Sequence, residues 1–196
     1  HTAIFISIIF GIGVGIFGVF MSRPLLEMMK SPEDVIELSS LYVKIYFAGL
    51  PVTMLYNFGS SILRATGDTK RPLYFLILSG MVNVVLNLVF VIGFKMDVAG
   101  VAIATVISTA ISAALVTACL MKSDGPCRLY IKKLRIYGKE LLEMTKIGLP
   151  AGLQGSVFSI SNVIIQSSIN SFGSVTMAGS AAANSLEGFV YTSMNA

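Results

Sequence analysis

Long apolar segments alternate with short polar ones along the whole chain. The apolar segments cover residues 3–21, 38–63, 73–94, 98–121, 147–169 and 175–196. Each is close to the roughly 20 helical residues that cross a hydrocarbon core of about 30 Å. The pattern therefore predicts an all-α fold, a polytopic transmembrane helical bundle with six spans in this chain.

Prolines and small residues refine the prediction for individual spans. Pro51 lies inside the second span and predicts a kink there, because its ring clashes with the preceding turn and it has no N–H to donate. Pro24 and Pro32 predict that no helix runs through the polar segment 22–37. The fourth span is rich in small residues, which predicts close packing against its neighbours.

Composition excludes a soluble domain. The chain is 55% hydrophobic and 12% charged, with a mean hydropathy of +0.81, whereas soluble domains carry about 25% charged residues. The net charge of +4 comes from loops between apolar segments. We interpret it as a determinant of membrane topology and expect no nucleic-acid partner.

The basic residues set the orientation of the spans. Ten of the fourteen Lys and Arg residues lie in two loops, residues 64–72 and 122–146. Short basic loops stay on the cytoplasmic side of a membrane. Both loops are therefore predicted to be cytoplasmic, and residues 22–37 and 95–97 are predicted to lie outside.

No motif for catalysis or cofactor binding is found. The chain has one His and two Cys residues, Cys119 and Cys127, without metal-ligand spacing. It has no paired carboxylates in a span, no Gly-x-Ser-x-Gly and no phosphate loop. We expect neither enzyme activity, a cofactor, a zinc site nor a disulfide, and we interpret the chain as a piece of a longer protein.

Polar side chains inside the spans are the candidate functional residues. They are Asn57 in the second span, Asn83 and Asn87 in the third, Thr105 in the fourth, Gln154, Asn162 and Gln166 in the fifth, and Asn184, Glu187 and Tyr191 in the sixth. Two interpretations stay open for the amides, helix-to-helix hydrogen bonding and cavity lining. Ser108, Ser112 and Ser159 are expected to bond backbone or join helices. Glu187 is the only carboxylate deep in a span, which favours a functional role.

Several of these segments together resemble a transporter family. They are Gly49-Leu-Pro51, Leu63-Arg-Ala-Thr-Gly-Asp-Thr-Lys-Arg-Pro72, Asn83-Val-Val-Leu-Asn87, Gly100-Val-Ala-Ile-Ala-Thr105, Gly148-Leu-Pro150 and Glu187-Gly-Phe-Val-Tyr191. The chain resembles the multidrug and toxic compound extrusion (MATE) transporters, in their prokaryotic DNA-damage-inducible-type branch. The resemblance implies two six-helix lobes, with this chain similar to helices three to eight of twelve. Residues 1–121 would belong to the amino-terminal lobe, 122–146 to the inter-lobe linker and 147–196 to the carboxy-terminal lobe.

The resemblance also implies a function. It implies antiport that exports organic, often cationic drugs in exchange for Na⁺ or H⁺, by alternating access, in a bacterial plasma membrane and as a monomer when complete. Relatives hold the ion with an Asp on the first helix, an Asn and an Asp on the fifth and a Thr on the sixth. Asn83 and Thr105 match two of these, and Asn87 stands at the Asp position without its charge.

The site that follows from the resemblance has two parts. Ion coupling is expected at Glu187, Asn83, Asn87 and Thr105, with Na⁺ near the last three. The substrate cavity is expected along Asn57, Gln154, Asn162, Gln166, Asn184 and Tyr191.

Other functions stay open. A flippase for lipid-linked sugars belongs to the same superfamily, but it would favour several basic residues in the cavity, and only Lys44 lies within a span. A membrane enzyme would need Asp or His clusters at the membrane edge. A non-transporting membrane protein would not need polar side chains on five spans. Neither the substrate nor the choice between Na⁺ and H⁺ follows from the sequence.

Overall fold

The computed structural model describes residues 1–123 and 128–195, apart from the side chains of Lys132, Phe189 and Asn195. All regular structure in these residues is helical, which confirms the predicted all-α fold. In chain order the helices are α1 (Thr2–Met28), α2 (Glu33–Ala48), α3 (Leu50–Ala65), α4 (Lys70–Leu88), α5 (Asp97–Lys122), α6 (Gly138–Asn170) and α7 (Ser174–Asn195). A π-helical turn follows α4 at Val89–Gly93, and a 3-10 turn lies at Ile131–Lys133.

Most of the predicted spans are present as helices of membrane-crossing length. Four described helices are long and apolar enough to cross a bilayer, namely α1, α4 with its π turn, α5 and α6. The α2–α3 pair meets the same standard when taken together. α7 forms over the predicted sixth span, but it is rich in Ala, Gly, Ser and Asn and is less apolar than these five. The predicted number of six is therefore approximate.

The kink predicted at Pro51 is confirmed. α2 ends at Ala48, α3 begins at Leu50, and the two helices are bent by 48°. Pro51 lies in the first turn of α3, where its missing N–H costs no helical hydrogen bond. The backbone N–H of Gly49 still donates to the carbonyls of Ile45 and Tyr46 at 3.1 Å, so the break is confined to one residue.

The expectation that Pro24 stops the first helix is wrong. α1 continues through Pro24 to Met28, seven residues beyond the predicted end of the span. Proline removes one donor from a helix but permits helical backbone angles, and membrane helices tolerate it when other groups satisfy the freed carbonyl. Ser22, two residues before Pro24, donates its hydroxyl to Val19 O at 3.0 Å.

The predicted cytoplasmic loop 122–146 is partly helical. α6 begins at Gly138, so residues 138–146 form its first two turns rather than a loop. Their charges resemble a loop, but Lys, Glu and Leu are strong helix formers. Asp124 and Cys127, also in this stretch, lie outside the described residues, and Cys119 is a free thiol near the end of α5.

The chain divides into two compact units, and the first holds the packed core. It comprises residues 1–22 and 41–147, with α5 packed against both α3 and α4. Its buried apolar side chains are Ile4, Tyr56, Leu63, Ala113, Val116, Leu120 and Leu129. Small residues on both sides allow the close approach. A Cβ on Gly59 of α3 would lie 2.5 Å from Val116 Cγ1 of α5, and the small residues that α5 itself buries are Gly100, Ala102, Ala104, Ser108, Ser112 and Ala113. The close packing predicted for the fourth span is therefore confirmed.

Glycines of α1 pack against the α2–α3 kink in the same unit. A Cβ on Gly11 would lie 2.6 Å from Pro51 Cα, and one on Gly15 would lie 2.8 Å from Phe47 O. Both neighbours are backbone atoms, which cannot rotate away. Glycine is therefore required at both positions by the direct contact of α1 with the kinked backbone.

The second unit comprises residues 23–40 and 148–196. α6 and α7 are joined by a tight turn in which Gly173 has a φ of +94°, a conformation that glycine adopts without strain. The buried Asn170 at the end of α6 donates from Nδ2 to Met29 O at 2.9 Å. Arg23 is ion-paired with Glu27 at 3.0 Å and with Glu37 at 3.7 Å.

Candidate functional site

Three of the predicted ion-site residues lie together between α4 and α5. Asn83 Nδ2 is 3.3 Å from Ser108 Oγ and 3.5 Å from Thr105 Oγ1. Asn87 Nδ2 donates to Asn83 Oδ1 at 3.0 Å. The expected grouping of Asn83, Asn87 and Thr105 is thus present, with Ser108 as a fourth member that the sequence assigned only to helix contacts.

The polar contact continues along the two helices toward the start of α4. Ser79 Oγ donates to Ser108 O at 2.7 Å, and Ser112 Oγ donates to Phe75 O at 3.1 Å. These bonds cross from one helix to the other. We call the set Ser79, Asn83, Asn87, Thr105, Ser108 and Ser112 the polar seam, and its members recur at helical spacing on each helix.

One oxygen of the polar seam has no described donor. Asn87 Oδ1 is buried and makes no hydrogen bond within the described residues. A buried unpaired amide oxygen costs about 1–3 kcal/mol unless something satisfies it. The residue lies two positions before the π-helical turn that begins at Val89, and such turns often occur at functional sites.

The chemistry of the polar seam suits a hard, singly charged cation better than a transition metal. Its members offer amide and hydroxyl oxygens, the ligand type that hard cations take. No carboxylate takes part in the hydrogen bonds described along the seam. The described residues also contain no cluster of three His, Cys, Asp or Glu side chains that could hold a metal ion. Asn87 Oδ1 is the group most directly available to a cation.

Asn57 is separate from this set. Its side chain is exposed on α3, and no described hydrogen bond joins it to the polar seam. Ser60, on the following turn, is buried and donates to Asn57 O at 3.3 Å. The predicted cavity role of Asn57 stays a prediction.

The predicted site residues of α6 lie in the second unit and differ in burial. Gln154 and Asn162 are exposed, whereas Gln166 is half-buried. Gln166 Nε2 donates to Asn170 Oδ1 at 2.8 Å, and Asn170 in turn is bonded to Met29. The structure therefore engages Gln166 in a local polar chain and leaves Gln154 and Asn162 without a described hydrogen bond.

The predicted residues of α7 are all on the surface of the second unit. Asn184, Glu187 and Tyr191 are exposed and share one helical face. Within the described residues Glu187 has no ion-pair partner, and no described hydrogen bond joins it to the polar side chains of α6. Its role in ion coupling stays a prediction.

The turn between α3 and α4 is fixed by contacts of its own. Arg71 Nε lies 3.2 Å from Asp68 Oδ2, and Arg71 Nη1 lies 3.5 Å from Cys119 Sγ. The second contact joins the first turn of α4 to the last turns of α5. The start of α4 and the end of α5, each next to a predicted cytoplasmic loop, therefore lie at the same end of the first unit.

Comparisons with known proteins give one consistent result. The profile of the family described as MatE matches residues 1–89. The chain is 35% identical to the probable multidrug resistance protein YpnP of Bacillus subtilis, over 91% of the chain and 40% of that protein. It is 24% identical to the multidrug export protein MepA of Staphylococcus aureus, over 88% of the chain and 39% of that protein.

A solved structure shows the same fold. It is titled an inward-facing conformation of a multidrug resistance MATE family transporter of the MOP superfamily. The match has a TM-score of 0.68 and 22% identity, over 85% of this chain and 36% of that one. The chain thus spans about two fifths of the length of the relatives it matches, and their names are those of transporters rather than enzymes. The chain is a multi-pass helical membrane protein, and the matches together support a MATE family fragment.

Proposed function

We propose that this chain is part of a transporter that exports organic cations across a bacterial plasma membrane in exchange for Na⁺ or H⁺. The single observation that supports this best is the buried Asn87 Oδ1 without a donor, in a polar seam between two membrane-spanning helices. An unsatisfied oxygen at this depth costs free energy, and a cation passing through the site would satisfy it.

The relatives support the proposed substrates. Those most similar to the chain are named as multidrug resistance or export proteins of bacteria. Substrates of such proteins must cross or enter the bilayer, and organic cations of mixed polar and apolar character fit the exposed amides of α3, α6 and α7. We assign substrate lining to Asn57, Gln154, Asn162, Gln166, Asn184 and Tyr191.

Coupling requires a group whose charge changes or is neutralised during the cycle. The polar seam is uncharged, so it can bind Na⁺ but cannot carry a proton by itself. Glu187 on α7 is the carboxylate within the proposed carboxy-terminal lobe that could do so. We assign Glu187 as the coupling carboxylate, with the polar seam as an uncharged ion site in the other lobe.

The assignment of Glu187 is tested with two variants of the complete protein that lose the same charge. Glu187→Gln should lower gradient-driven efflux of a fluorescent organic cation from proteoliposomes at least tenfold, because the variant has no coupling carboxylate. Glu143→Gln changes an exposed carboxylate in the first turns of α6 and should keep the rate within about twofold. Protein amount in the vesicles is measured for both.

Unchanged efflux by Glu187→Gln would remove Glu187 from the mechanism. An equal loss in both variants would show that the effect is one of net charge rather than of this side chain.

A further inference from the structure

Residues 128–139, which lead into α6, form a fixed basic surface rather than a loose linker. From Arg128 to Lys139 the sequence carries five Lys or Arg residues in twelve positions and no Asp or Glu. The other predicted cytoplasmic loop, residues 64–72, carries three basic residues. Five basic residues in this stretch are therefore more than the orientation of the spans requires. We call residues 128–139 the basic segment.

The backbone of the basic segment is held against the first unit. Leu129 is buried in the core, and its N–H donates to Leu120 O at 3.0 Å. Leu134 packs on the same core. At the far end, Tyr137 N donates to Thr2 Oγ1 at 3.2 Å. Hydrogen bonds thus hold the segment at both ends, one to the last turn of α5 and one to the start of α1.

The cationic side chains are arranged by aromatic rings. Lys133 Nζ lies 5.0 Å from the centre of the Tyr130 ring, and Arg128 Cζ lies 5.3 Å from the same ring. Arg135 Cζ lies 4.5 Å from the centre of the Tyr137 ring. Among the described residues, neither Lys133 nor Arg135 is ion-paired with a carboxylate, so their charge is available to an outside anion.

Apolar side chains point outward between these cations. Ile131 is 59% exposed, Ile136 is 48% exposed and Tyr130 is 45% exposed. Large apolar side chains at the water-facing edge of a membrane protein are costly unless the interface covers them, and Tyr is the residue typical of that depth. The exposed surface therefore combines cations that can contact a lipid phosphate with apolar side chains that can enter the boundary of the acyl chains.

We propose that the basic segment binds anionic phospholipids of the cytoplasmic leaflet, with Lys133 and Arg135 contacting the headgroup phosphate and Ile131 and Ile136 entering the acyl boundary. The position of the segment supports a lipid over a soluble anion, because it begins six residues after the end of α5, a helix of membrane-spanning length, and its Leu129 bonds to Leu120 of that helix. Clusters of four to eight basic residues at this position are typical of anionic lipid binding.

The proposal is tested on the complete protein by titrating phosphatidylglycerol and phosphatidylcholine and counting bound lipids by native mass spectrometry. Each basic residue at a membrane surface changes affinity roughly fivefold. The double variant Lys133→Gln with Arg135→Gln should therefore bind phosphatidylglycerol about 25-fold more weakly, with phosphatidylcholine binding unchanged. The control, Lys30→Gln with Lys95→Gln, removes the same charge from the loops predicted to lie outside and should change binding less than twofold.

Three results would overturn the proposal. They are phosphatidylglycerol binding by the double variant within twofold of the original protein, an equal loss in the control, and displacement of the lipid by an equal concentration of soluble glycerol phosphate.

A salt titration of the unaltered protein is a separate test. When the salt is raised from 0.1 to 0.5 M, phosphatidylglycerol retention should fall severalfold because exposed charges are screened. Retention that does not change with salt would refute the proposal.

Discussion

At the scale of single residues, the side chain of Asn83 contacts three other members of the polar seam. It accepts from Asn87 and donates toward Thr105 and Ser108, so it links two turns of α4 to α5. Hydrogen bonds between membrane helices contribute on average about 0.6 kcal/mol each. The residue therefore has a structural role that can be measured apart from transport.

Replacement of Asn83 should destabilise the complete protein. Asn83→Ala removes three polar contacts and leaves Asn87 Nδ2 without its acceptor, which should cost about 1–2 kcal/mol of unfolding free energy. The matched change Asn57→Ala affects an exposed side chain and should cost less than about 0.5 kcal/mol. Chemical unfolding in detergent micelles compares the two, and equal stability of both variants would contradict the described bonds.

The sequence predicted part of this site for a physical reason. Asn83 and Asn87 are costly to bury and recur at i and i+4, so their shared face could be recognised. Ser79 could not be assigned, because a single Ser in an apolar helix usually bonds to its own backbone. Here Ser79 and Ser112 bond to carbonyls of the opposite helix, which only the packing of α4 on α5 determines.

At the scale of helices, the kink at Pro51 is the feature around which α1 packs. Gly11 and Gly15 lie one turn apart on α1 and face backbone atoms of Pro51 and Phe47. Gly13 lies between them in sequence, but a Cβ added to it would meet no atom within 4 Å. Gly11 and Gly13 are therefore a matched pair on one helix, the first in close contact and the second not.

Alanine at Gly11 and alanine at Gly13 should affect the stability of the protein differently. Gly11→Ala places a Cβ 2.6 Å from Pro51 Cα, and the required backbone shift should cost about 1–3 kcal/mol. Gly13→Ala meets no atom within 4 Å and should leave stability unchanged or raise it by up to about 1 kcal/mol. Thermal unfolding of the complete protein in detergent measures both, and a Gly11→Ala protein as stable as the original would refute the contact.

The first and last residues of the helices could be predicted only where the local sequence determines them. Pro51 lies in the first turn of α3, two residues after Gly49, so its kink was predictable. Pro24 lies in an equally suggestive polar stretch, yet α1 passes through it. The start of α6 at Gly138 was hidden because its first turns carry charges typical of a loop. The end of α1 therefore does not follow from its proline, whereas the start of α6 follows the helix propensity of its Lys, Glu and Leu residues rather than their charge.

At the scale of the whole molecule, the chain corresponds to one part of the relatives that it matches. It spans about two fifths of their length, and each of its two compact units combines two stretches that are separate in the sequence. The family and the helical fold were predictable because apolar length and basic loops are local properties of the sequence. The predicted substrate cavity stays a prediction, since it depends on how helices distant in sequence are arranged.

Exchange of one cation for another is the central claim, and it is tested most directly by reversing the driving force. Proteoliposomes of the complete protein are loaded with a fluorescent organic cation, with Na⁺ and pH equal on both sides. The outward gradient of the organic cation should then drive uptake of Na⁺ or H⁺, although neither ion has a gradient at the start. Glu187→Gln should abolish that uptake, and Glu143→Gln should retain it. Loss of the organic cation without any counter-movement of Na⁺ or H⁺ would contradict antiport.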